Sequence, residues 1–194
     1  MLYSCNNAQE ERFKDYQNIT VVLDSNIGSV SIKLPPEFDT SYKCLKYSDC
    51  GYCCASIHHC YASKIDQTVF EDTIQGFQPK VKGQIRRFYS FAVIQSMGMN
   101  CTGNGKKEMT KEDLKWMVEN LRMQEKTILF SKIDTILGRN FLVFATVYPN
   151  EDGFEEELCA TTYIGYEPVN FRFFKTVNDK KDFIQRMYDC LMTL

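Results

Sequence analysis

Histidine is scarce in these 194 residues: it occurs twice, as the adjacent pair His58-His59. Imidazole is the side chain whose ordinary pKa lies nearest neutrality, so an imidazole base of this chain can come only from this one short segment. Tryptophan occurs once, at Trp116, and proline five times. An excess of either charge is also missing. Lys and Arg number 23 against 25 Asp and Glu, a formal net charge of −2, which removes the overall attraction that drives non-specific nucleic-acid binding. No apolar run approaches the ~18 residues that a membrane-spanning helix requires. The opening Met1-Leu2-Tyr3-Ser4-Cys5 lacks a basic stretch followed by an apolar one, so no secretory leader is expected. The nine cysteines are an odd number, which would strand one thiol in an oxidising compartment. A cytoplasmic or nuclear location follows, with most cysteines acting as small buried hydrophobes.

What is present fits an ordinary globular chain. Hydrophobic residues make up 44% and charged residues 25%, and the length suits a single domain over 1–194 that needs no metal or disulfide as a prop. The first 18 residues are polar and without a clear period, and read as either a short helix over Glu10 to Tyr16 or a loose N-terminal arm. Ile19 to Leu23 and Ser29 to Leu34 are β-branched runs joined by turn residues, which predicts a hairpin. From Asp49 to Ser63, Cys50, Cys53, Cys54, Ile57, Cys60 and Tyr61 recur at helical spacing. Thr68 to Gln75 reads as a short helix and Gln84 to Met97, apolar nearly all round, as a helix covered on both sides. Thr110 with Asp113 signals the capped start of a helix to Met123, with Leu114, Met117, Val118 and Leu121 inward. Thr127 to Ile133, Phe141 to Tyr148, Glu157 to Tyr166 and Asn170 to Thr176 read as strands. Asn178 or Asp179 caps a last helix buried through Phe183, Ile184, Met187, Tyr188 and Leu191. The expected class is α+β: an N-terminal β-hairpin, a helical half, an antiparallel half and a C-terminal helix.

The chemistry centres on Ser48-Asp49-Cys50-Gly51-Tyr52-Cys53-Cys54-Ala55. A thiol at a helix start lies where unpaired N–H groups and the helix dipole favour the thiolate. The Asp-Cys-Gly-x-Cys-x-Ala arrangement resembles the nucleophile segment of papain-like cysteine peptidases, in particular the bacteriocin-processing branch. That resemblance implies a papain-like fold with Cys50 as nucleophile. It further implies a histidine base on a distant downstream strand and a glutamine oxyanion donor about six residues before the cysteine. Here the downstream strand opens Gly138-Arg139-Asn140, with no histidine, and Cys44 stands at the glutamine's place. His58 and His59, eight and nine residues beyond Cys50 on the same expected helix, lie about 12 Å from it. The expectation is therefore an inactive relative of the enzymes, a pseudoenzyme without cofactor whose work is binding another protein. The alternative is a thiol hydrolase or transferase using Cys50, with Asn140 in an orienting role and a base supplied by another chain or by the substrate.

Three further groups carry binding chemistry. Cys50, Cys54 and His58 follow an i, i+4, i+8 line, a poor arrangement for zinc, which needs a second ligand pair from another turn; no metal is expected. Lys80, Lys82, Arg86 and Arg87 stand beside Phe88 and Tyr89, charges and rings suited to phosphates and bases, so nucleic acid is the second alternative partner. The acidic stretch Glu151 to Glu157 would repel nucleic acid and suits a basic partner. Trp116 and Met123 fall opposite the inward stripe of their helix and mark a second packing surface, for another part of this chain or for a partner; in the second case they are the expected protein-binding anchors.

Overall fold

The computed structural model describes residues 12–24, 27–48, 51–63, 69–71, 80–82, 88–97, 108–124, 126–150, 153–165, 167–176 and 182–194. In chain order its elements are β1 (Gln17–Leu23), β2 (Gly28–Leu34), β3 (Thr40–Ser48), β4 (Gly51–Ala62), β5 (Val69–Glu71), β6 (Lys80–Lys82), β7 (Phe88–Met97), α1 (Lys111–Met123), β8 (Thr127–Ile136), β9 (Arg139–Asn150), β10 (Gly153–Ile164), β11 (Glu167–Thr176) and α2 (Phe183–Leu191). Among the described residues no helix is long and apolar enough to cross a membrane.

The two β-branched runs near the N-terminus form the expected hairpin, with β1 and β2 antiparallel from Gln17–Leu34 to Leu23–Gly28. Their period of two is plain: Val21, Leu23, Ile32 and Leu34 are buried, while Thr20, Val22, Ser29 and Ser31 are exposed. The main sheet has seven strands in the order β3-β4-β7-β11-β10-β9-β8, and every neighbouring pair in it is antiparallel. β5 and β6 pair only with each other.

The expected helical half is overturned, and with it the α+β class: the chain is mostly antiparallel β-structure with two helices among its described residues. The helix expected over 49–63 is strand β4, and the helix expected over 84–97 contains strand β7. Where a short helix was expected at 68–75, the described part, 69–71, is β5. The reason lies in side-chain chemistry. Phe91, Val93 and Gln95 of β7 are buried and alternate with half-buried Ser90, Ala92, Ile94 and Ser96, which is a strand's period. Because the half-buried positions are also mostly apolar or small, the run satisfies a helical stripe equally well, and periodicity alone cannot choose. Aromatic and β-branched content favours the extended form, as does pairing on both sides.

The sheet's two faces are covered unequally. On one, the hairpin and α2 pack over a core that joins Val21, Leu23, Ile32, Leu34 and Phe38 to Phe91, Val93, Val143, Leu158, Val169, Phe171 and Phe173. Phe183, Met187, Cys190 and Leu191 of α2 complete it. Phe91 stacks on Phe173 with ring centroids 4.5 Å apart. The expected inward residues of α2 are there, Cys190 in addition, but the cap is Asp182, whose carboxylate accepts from the Gln185 N–H at 3.3 Å; Asn178 and Asp179 lie outside the described residues. On the other face α1 covers a smaller cluster of Leu121, Phe144 and Cys159, flanked by Met117 and Ile128.

Candidate binding site

Helix α1 begins as the sequence predicts. Thr110 is its N-cap, its hydroxyl accepting from the Asp113 N–H at 3.3 Å while the Asp113 carboxylate accepts from the Thr110 N–H at 3.0 Å. Two orphan donors are thereby satisfied at once. Leu121 is its one fully buried residue and Leu114, Met117 and Val118 are half-buried. The opposite stripe carries Trp116, 64% exposed, and Met123, 73% exposed. Seven residues apart, the two share a line along the helix at about 10 Å separation. Exposed Lys115, Glu119 and Arg122 flank them, so the apolar pair has a mixed-charge border.

The C-terminal end of α1 is tied to the sheet by an ion cluster around a buried carboxylate that the sequence did not reveal. Lys126, three residues past the end of the helix, donates to Glu157 at 3.0 Å and lies 5.0 Å from the centre of the Tyr148 ring. Arg172 on β11 pairs with the same carboxylate, and the Cys159 thiol donates to it at 3.2 Å. Glu157 is 3% exposed. Burial by itself would raise its pKa, but the two cations and the thiol hold it below the ordinary carboxylate value. Cys159 is pushed well up, first by burial and then by the Glu157 charge, so it is an unreactive thiol. The acidic stretch is thus not all surface: Glu157 serves the interior, and Glu156 lies 3.7 Å from buried Lys175.

The remaining candidates are dispersed. Cys50 lies outside the described residues, as do Arg86 and Arg87; Cys54, Lys80 and Lys82 are placed only as backbone positions in β4 and β6. Because β4 is extended, positions 54 and 58 stand about 13 Å apart on it, not one helical turn, and the expected i, i+4, i+8 line does not exist. Among the described residues no three metal-ligating side chains converge. His58 meets the Ser56 hydroxyl at 2.8 Å and its pKa falls to about 4, chiefly through burial, then through the Lys46 and Arg172 charges. Asn140 accepts from the Thr135 hydroxyl at 3.2 Å near the start of β9. Three strands separate β9 from β4, about 19 Å at ordinary strand spacing, so Asn140 and the strand that follows Cys50 are not neighbours. No protein-family model matches the chain, and no curated protein is significantly similar to it in sequence.

Proposed function

We propose that this chain is a protein-binding module whose contact surface is the outer stripe of α1, with Trp116 as anchor and Met123 beside it. The observation that carries the reading is the 64% exposure of the only tryptophan on a helix fixed from behind by a capping box and an ion cluster. Exposing an indole to water is unfavourable, and tryptophan is the residue most enriched among interface residues that dominate binding energy. A rigid presenting helix adds little ordering cost on association. The partner that fits is a protein with an apolar pocket for the indole and a polar rim facing Lys115, Glu119 and Arg122.

The test measures the affinity of a co-purified partner for wild type, for Trp116→Ala, and for a fourfold change of Lys80, Lys82, Arg86 and Arg87 to Ala. Trp116→Ala is expected to cost ~2 kcal/mol or more, about 30-fold in Kd, with little dependence on salt. If the fourfold variant instead loses the partner while Trp116→Ala keeps it, and affinity falls steeply with salt, phosphate or acidic-partner binding replaces this reading.

A further inference from the structure

Strand β3 ends the seven-stranded sheet: β4 pairs with one side of it, and no described strand pairs with the other. It is also thinly covered on both faces, with Ser41, Tyr42, Lys43 and Leu45 exposed, Tyr42 at 49% and Leu45 at 41%. The opposite end is guarded. There β8 carries a register irregularity between Ile128 and Phe130, a bulge of the kind that blunts an edge. In β3 the only register shift falls at its very end, between Tyr47 and Ser48, so Thr40 to Tyr47 is regular, and a regular edge that no described strand covers is a template for another strand.

We propose that β3 pairs with β3 of a second copy of this chain, antiparallel about a two-fold axis at Cys44, so that two seven-stranded sheets become one. In a two-fold strand pair the register is set by the residue that faces itself. Cys44 is the midpoint of Thr40–Ser48, and an axis there pairs Ser41 through Tyr47, all but one residue of the regular stretch Thr40–Tyr47. It places Tyr42 opposite Lys46 on one face and Lys43 opposite Leu45 on the other. An ammonium beside a phenol ring is attractive, and a lysine stem covers an exposed leucine. Moving the axis to Lys43 or to Lys46 sets a lysine against itself; moving it to Tyr42 or Leu45 leaves part of the strand unpaired. Lys43 brings its own counter-charge, Asp24 at 2.9 Å, so it does not repel its copy across the axis. The strand carries two lysines and no acid, yet in this register no like charges meet. The axis lies at the end of the sheet away from β8 and α1, so both Trp116 surfaces stay free.

Charge reversal at the axis tests this by light scattering after gel filtration, in reductant so that no disulfide contributes. Wild type is expected to run as two chains at ~100 μM. Cys44→Glu and Cys44→Lys, which set like charges face to face, are each expected to run as one chain. Their equimolar mixture should return to two chains, because Glu then faces Lys, and that recovery also shows both variants to be folded. A monomeric wild type, a variant that dimerises alone as well as wild type does, or a mixture that stays monomeric would each overturn the proposal.

Discussion

Glu157 shows how one buried carboxylate fixes the direction of an acid response. Its two cations and a thiol converge on a residue 3% exposed, and its folded pKa lies below the ordinary 4.5. A carboxyl lowered on folding contributes stability that is complete above its unfolded pKa and is lost as pH falls through the folded one. Glu157→Gln removes that contribution and leaves Lys126 and Arg172 without their partner. Breaking a buried pair usually costs ~3–5 kcal/mol, and the expectation here is about 3, because Arg172 has a side chain 45% exposed and can rehydrate. In urea unfolding the gap between wild type and variant should be full at pH 7 and should narrow as pH drops below 4.5. A gap that stays constant down to pH ~3 would assign the loss to packing and not to charge. The sequence concealed this residue for a physical reason. Glu155-Glu156-Glu157 reads as a solvated run, and the neighbouring Leu158, Cys159, Ala160 and Thr161 are all buried, so no polar alternation marks which acid turns inward. Trp116 was legible because α1 announces both its start, by Thr110 and Asp113, and its inner stripe.

At the scale of elements the tight turn between β8 and β9 carries a local conflict. Leu137 and Gly138 connect paired Ile136 and Arg139 with φ values of +50° and +71°, the left-handed pair that a two-residue hairpin turn demands. Glycine adopts it freely. Leucine does not, and at 76% exposure it gains little packing in return. Leu137→Asn should therefore raise stability by ~0.5–1 kcal/mol, read as a higher thermal midpoint; an unchanged or lower midpoint would show that the leucine makes contacts worth more than the strain. Of the elements that could be read from sequence, the hairpin β1–β2 and helices α1 and α2 show a clean contrast between faces, whereas β9 and β10, buried on both faces over Phe141–Thr146 and Glu157–Thr162, were legible through the turn residues that bound them. Those misread, β4 and β7, lie inside the sheet, where both faces hold apolar, small or cysteine side chains. Cys60 and Tyr61, or Ala92 and Val93, look alike to a periodicity argument although they point to opposite sides. The apparent helix at 49–63 was the ground for reading Cys50 as a thiol at a positive helix end, and that ground is gone once β4 is extended from Gly51.

For the molecule as a whole, the unequal cover of the two sheet faces predicts an order of opening. One face holds a core that spans the hairpin, five strands of the sheet and α2, with Phe91, Val93, Phe171 and Phe173 at 0% exposure. The other holds α1 through Leu121, Phe144 and Cys159, with Met117 and Ile128 only partly buried. Local stability follows such differences in buried apolar contact, and binding elements are commonly drawn from the weaker end. α1 is accordingly expected to open without the rest, limited by its capping box and by the Lys126–Glu157 pair at 3.0 Å. Amide hydrogen exchange under increasing denaturant reads this directly. Amides of α1 should exchange through an opening ~2 kcal/mol or more below that of β7 and β11, whose amides should exchange only with global unfolding. Equal opening free energies for α1 and β7 would make the helix part of one cooperative unit with the main core. Should α1 open first, a partner seated on Trp116 would slow its exchange in proportion to occupancy, while β7 and β11 would respond only through the global equilibrium.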